Sequence, residues 1–200
     1  VTLSEWLKSV GLSRTQNQKL TAKKLAAAKS GGKARKEARI KKMKQIFAKS
    51  AEDIKIISKR ELFLIGVTLY WAEGNKEKEY LPGSGVHFSN SDPEMIKLFL
   101  KWLDEIINLS KEQIKFSLFI HENQKTNINK IISFWVNQTN FPSADFQKIY
   151  YKTHNPKTKR KNIGDLYYGV LRVSVSRSSE LNRRIAGWIK AINKYYWGVV

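Results

Sequence analysis

The chain has 200 residues, enough for one large domain, or a domain with an appendage, around a real core. Hydrophobic residues make up 42%, with six Trp, eight Tyr and nine Phe, which excludes global disorder. Lys and Arg total 37 against 17 Asp and Glu, a formal net charge of +20. Self-repulsion on that scale disfavours a compact state, so a polyanionic partner is implied, nucleic acid being the usual one. The absence of cysteine excludes a disulfide scaffold and any Cys-ligated zinc or iron–sulfur site, and it fits a reducing compartment. No apolar run approaches the roughly 18–20 residues of a membrane span, and no apolar signal core opens the chain. Val1 in place of an initiator Met points to residues upstream. These features predict a cytoplasmic, nucleoid-associated protein.

Charge and aromatics divide the chain. Residues 1–60 hold 17 Lys/Arg and four acids, a net of +13, while residues 61–200 hold 20 and 13, a net of +7. Only Trp6 and Phe47 are aromatic before residue 60. The expectation is a basic helical arm over 1–60 and a globular domain over 61–200. Within the arm, Leu3, Trp6, Leu7 and Val10 keep a helical stripe that ends at Gly11. Ser13 caps a second helix through Lys29, Gly31-Gly32 breaks it, and a third runs from about Lys33 to Ile57. That third helix, with Lys33, Arg35, Lys36 and Arg39, is either a solvated linker or a helix laid along phosphates.

The globular part alternates helix and strand. Ser58 caps a helix over Glu61–Glu73, a turn-rich stretch leads into a strand at Val86–Asn90, and Asp92-Pro93 opens a helix through about Ile107. Residues 114–121 alternate cleanly, with Ile114, Phe116, Leu118 and Ile120 on one face. A helix follows over Thr126–Thr139, then strands near Phe146–Thr153 and Tyr168–Ser176, and a last helix from Ser178. This order predicts an α+β fold, an antiparallel sheet with helices packed on one face.

The segment Glu61–Gly74 (ELFLIGVTLYWAEG) is the most informative. It is apolar from Leu62 to Ala72, with small residues Gly66, Thr68 and Ala72 along it. Thr68 and Ala72 share a face that lets another backbone come close. Glu73 then faces the negative end of the helix dipole, where an anion needs a compensating cation, and Gly74 is the expected left-handed C-terminal residue.

At this point the sequence resembles the LAGLIDADG family of homing endonucleases. Residues 69–74 (LYWAEG) line up with the closing half of the family motif, and the strand-to-helix junction at 88–93 (FSNSDP) is also similar. The resemblance covers roughly residues 61–195. More narrowly, the chain looks like single-motif bacterial members in which a helix-turn-helix precedes the domain, with Thr2–Lys8 as its recognition helix. Thr68 replaces a family Gly, and Trp71 replaces the first acid of the motif. The resemblance implies a LAGLIDADG-like sheet, with Glu73 and Gly74 at the metal position and Mg²⁺ as the ion, Ca²⁺ supporting binding without cleavage. It also implies a homodimer that packs two copies along Gly66, Thr68 and Ala72, and Lys152 as a basic residue beside the metal.

Other candidates come from the residues. Arg172, Ser174 and Ser176 alternate against Leu171, Val173 and Val175; Lys148, Tyr150 and Lys152 share one strand face, and Lys115, Ser117 and His121 another. Such faces suit phosphate and base-edge contacts, or are ordinary solvated sheet. The stretch 152–161 has five Lys/Arg (Lys152, Lys157, Lys159, Arg160 and Lys161) and no acid. It reads as a loop joining two strands, either a phosphate grip or a solvated hairpin tip. His87, His121 and His154 pair at no metal-ligand spacing, and the tryptophans read as packing. The leading expectation is a double-stranded DNA-binding protein and Mg²⁺-dependent endonuclease, acting as a homodimer. A helix-turn-helix regulator with a silent LAGLIDADG-like domain and an RNA-binding maturase are the alternatives; RNA is not excluded as a partner.

Overall fold

A computed structural model of the chain describes residues 13–78, 80, 82–146, 148–153 and 167–196, together with Thr2, Glu5 and Gly11. The expected stripe of Leu3, Trp6, Leu7 and Val10 lies outside the described residues, as do His154, Lys157, Lys159, Arg160 and Lys161. The chain divides into two compact units, residues 1–56 and 57–200.

In the first unit a long helix, α1, spans Arg14–Ile54, 41 residues. Ser13 caps it: its hydroxyl accepts from the Gln16 N–H, and the Gln16 side chain accepts from the Ser13 N–H. The expected break at Gly31-Gly32 does not occur. Glycine lowers helix stability by about 1 kcal/mol but does not forbid helical angles, and Ala, Lys and Arg flank the pair. No residue of α1 is buried.

The second unit opens with α2 (Lys59–Glu73), capped by Ser58 and Glu61 through the same reciprocal box. The chain then runs through β1 (His87–Asn90), α3 (Pro93–Glu105), β2 (Ile114–His121), α4 (Ile128–Thr139), β3 (Lys148–Lys152), β4 (Val170–Val175) and α5 (Ser179–Tyr196). Asp92 caps α3 and Pro93 opens it, as the sequence predicts. A 3₁₀ turn over Glu122–Asn127 replaces the first part of the helix expected from Thr126. Gly74 ends α2 in extended backbone (φ −79°) rather than left-handed. Glycine is required there by a close approach: a Cβ would lie 2.5 Å from the Tyr70 ring, and Gly74 bridges antiparallel to Phe88.

The sheet has four strands in the order β1-β4-β2-β3. It is mixed, not antiparallel as expected. β4 runs antiparallel to β1 and β2, while β3 lies parallel to β2. The cause is α4, which carries the chain back to the end of the sheet where β2 began, so the next strand must run the same way. β3 and β4 are therefore not neighbours in the sheet.

Helices α2 to α5 cover one face, as expected. There Phe88, Phe116, Leu118, Ile120, Leu171 and Val173 are fully buried or nearly so, against Val67, Tyr70, Phe99, Trp102, Trp135 and Ile185. Phe99 ties the layers together, with its ring stacked 4.3 Å from Phe88 and 5.6 Å from Trp102. The alternate residues of each strand are left to the opposite face.

Candidate nucleic-acid interface

Strand register sorts that opposite face into rows. His87, Ser174 and Lys115 form the first; Ser89, Arg172, Ser117 and Lys148 the second. Val170, Phe119 and Tyr150 form the third, and His121 and Lys152 the fourth. Apart from Ser176, which lies in the turn just after β4, every strand residue expected to face nucleic acid is here, because burial alternates along β2 and β4 without a slip. The β3 residues Lys148, Tyr150 and Lys152 are exposed, and those of the inner strands are half-buried.

The cations are held in place. The Arg172 Nε donates to Ser89 Oγ at 3.1 Å, and its guanidinium lies 4.5 Å from the Phe119 ring centre. Lys152 Nζ lies 5.4 Å from the same ring. Lys115 is an exception in charge, since its Nζ meets the Asp145 carboxylate at 2.7 Å and so presents a partly compensated cation. On α1, Lys33, Arg35, Lys36 and Arg39 are exposed, with Lys33 3.9 Å from Glu37.

At one end of the face, Glu73, Gly74, Asn75, His87, Ser89 and Arg172 line a cleft of about 320 Å³. Glu73 is exposed at the last turn of α2. The segment that follows is clamped. Buried Asn182 donates to the carbonyls of Ser84 (2.9 Å) and Asn75 (3.3 Å) and accepts from the Tyr70 hydroxyl (3.1 Å). Burial pushes the Tyr70 hydroxyl up to about 12, so it remains a donor. Glu77 receives two bonds from Arg183 and one from the Gly83 N–H, and these hold its carboxyl below the usual range. His87 stands 3.0 Å from Ser174 Oγ through Nδ1. Burial holds its imidazole below the ordinary histidine value, with the Arg172 charge adding to the effect.

Among the described residues, no group of three or more His, Asp or Glu is arranged to hold a metal. One chain brings a single carboxylate to this cleft, beside the His87 imidazole and the Arg172 guanidinium, and so does not complete a divalent-cation site by itself. Gly66 also departs from its expected role. It is buried against Trp102, and a Cβ there would fall 2.0 Å from the indole. Thr68 and Ala72, with Leu64 and Trp71, form the exposed side of α2 instead. Lys152 belongs to the row of His121, not to the Glu73 cleft.

Sequence reasoning missed His87, Ser89, Asn75 and Phe119. Period-two alternation around Phe88 and along β2 would have given His87, Ser89 and Phe119, whereas Asn75 carried no signal. No family model, no curated protein and no solved structure matches the chain. Among the described residues, no helix is long and apolar enough to cross a membrane.

Proposed function

We propose that this chain binds double-stranded DNA through the face of its sheet opposite helices α2 to α5, with α1 adding phosphate contacts, in a cytoplasmic, nucleoid-associated setting. One observation carries the reading: four cations, three serine hydroxyls, two imidazoles and two aromatic rings occupy adjoining rows of one face. Four strands at a spacing of about 4.8 Å span roughly 14 Å, close to the ~12 Å width of a major groove. Lysine and arginine there neutralise phosphates, while serine and histidine reach base edges. The test is binding of a flush duplex followed against salt. Each phosphate contact contributes about 0.9 to the slope of log affinity against log salt. Lys148→Gln, a change at an exposed site, is expected to lower that slope by about one contact. An unchanged slope and affinity in a combined Lys148→Gln, Arg172→Gln variant would remove this face from the interface.

The proposal extends, through the LAGLIDADG resemblance, to Mg²⁺-dependent cleavage by a homodimer. The cleft of one chain does not complete a cation site, so cleavage requires Glu73 of a second copy. The exposed, largely apolar side of α2 (Leu64, Thr68, Trp71 and Ala72) supports such a pairing. Duplexes selected in Ca²⁺ and then supplied with Mg²⁺ test it. Cleavage should vanish in Glu73→Gln while binding persists. Binding with no cleavage by the natural chain would favour a regulator whose LAGLIDADG-like domain is silent.

A further inference from the structure

Duplex binding leaves one feature of the sheet face unused. Arg172, Phe119 and Tyr150 form a continuous stack across three strands: the guanidinium 4.5 Å from the Phe119 centre, and the Phe119 and Tyr150 rings 4.7 Å apart and 11° from parallel. β3 is the last strand of the sheet, so the far side of the Tyr150 ring faces no further strand. Tyr150 is 45% exposed, a large area for a ring already fixed on one side by Phe119. Lys148 and Lys152 point the same way from the same strand, two residues to either side, about 7 Å of strand each.

A base inside a duplex cannot use such a ring, because its planes are covered by its neighbours. An unpaired base can, and an aromatic face of this kind accepts any of the bases. We propose that Tyr150 is a stacking site for an unpaired nucleobase, with Lys148 and Lys152 holding the phosphates on either side of it. The inference rests on the reading of this face as a nucleic-acid surface, and it adds to the duplex a displaced or single-stranded nucleotide as a second ligand of that face. The ring is set before binding, so little ordering is needed when the base arrives.

The experiment uses the full chain and short strands carrying one 2-aminopurine, whose fluorescence is quenched on stacking. A deoxy strand, a ribo strand and a flush duplex of the same sequence are compared. Quenching in either unpaired strand is expected, and which of the two binds tells DNA from RNA as the source of the base. Tyr150→Leu keeps an apolar side chain but no ring; it should abolish the quench and weaken strand binding by about five- to a hundredfold. Tyr150→Phe should retain both. No quench with the natural chain in either strand, or an equal quench in Tyr150→Leu, would overturn the assignment. A strand that is quenched by a protein that ignores the flush duplex would refute the duplex reading while leaving the stacking site intact.

Discussion

Substituting Gly66 by Ala separates the two sides of α2. An added Cβ would lie 2.0 Å from Trp102 Cδ1, 2.1 Å from Cγ and 2.3 Å from Nε1. Carbon atoms in contact prefer about 3.5–4.0 Å, so the indole would have to retreat by roughly 1.5 Å. It has nowhere to go, because it is fully buried, stacked on Phe99 and edge-on to Trp188 at 6.4 Å. Helix propensity alone would favour Ala by about 1 kcal/mol. Overpacking of a filled core typically costs about 1–3 kcal/mol, and the overlap here belongs at the upper end. The expected net effect is a loss of about 2 kcal/mol in the denaturant unfolding of residues 57–200. Thr68→Ala, on the exposed side two residues on, should instead gain a few tenths of a kcal/mol from propensity alone. A Gly66→Ala variant stabilised by about 1 kcal/mol would show that Trp102 does not rest on Gly66. The assignment of Leu64, Thr68, Trp71 and Ala72 as the face free for a second copy would fall with it.

Two other consequences are directly measurable. His87 is held below its unfolded value of about 6.5 by burial. Below that value the unfolded chain binds more protons than the folded one, so the stability present above about pH 6.5 is lost as the pH falls through the folded value. His87→Gln should flatten the decline in denaturant midpoint between about pH 7 and 5; an identical decline in both proteins would contradict the burial. Asn182→Ala should cost about 1–3 kcal/mol, because the buried Tyr70 hydroxyl loses an acceptor and the half-buried Ser84 carbonyl loses its amide donor. A loss under about 0.5 kcal/mol would mean that this network does not hold the segment after Glu73.

Why some of this was legible in the sequence follows from what periodicity encodes. Alternation along a strand says which side chains share a face, so Lys115, Ser117, Arg172, Ser174, Lys148, Tyr150 and Lys152 could be grouped before any fold was known. It does not say which strand lies next to which. The parallel pairing of β3 with β2 was written only in the helix between them, Ile128–Thr139, which returns the chain to its starting end. The inner side of α2 was illegible for a different reason. From Leu62 to Ala72 the helix is apolar almost all round, so no moment distinguishes Gly66 from Thr68. Gly74 was correctly marked as special, but for the wrong physics: a left-handed cap was expected, and contact with the Tyr70 ring is what excludes a side chain. The cleft itself joins Glu73 to His87 and Arg172, residues far apart in the chain, and only the packing of α2 against β1 brings them together.

The long basic helix raises the last question, which is what keeps it helical. α1 carries thirteen Lys/Arg and three acids, a net of +10, and buries none of its residues. Lys19 and Lys23, Lys29 and Lys33, and Arg35 and Arg39 each stand four apart, and such like-charged pairs cost about 0.2–0.5 kcal/mol apiece. Gly31 and Gly32 add about 2 kcal/mol relative to Ala. Against this stand the cap at Ser13 and, among the described residues, one ion pair, Lys33 with Glu37. A duplex changes the balance. Its backbone presents one negative charge per ~1.7 Å, and a 41-residue helix is roughly 60 Å long, so neutralisation can act along its whole length. Ellipticity at 222 nm in low salt should therefore rise on adding duplex DNA, and its thermal midpoint should rise with it. Gly31→Ala with Gly32→Ala should raise the helix signal without DNA and reduce the further gain on binding. A signal and midpoint that respond to neither the duplex nor the glycine replacements would mean that charge and propensity do not govern this helix, and α1 would lose its place as a phosphate-binding element.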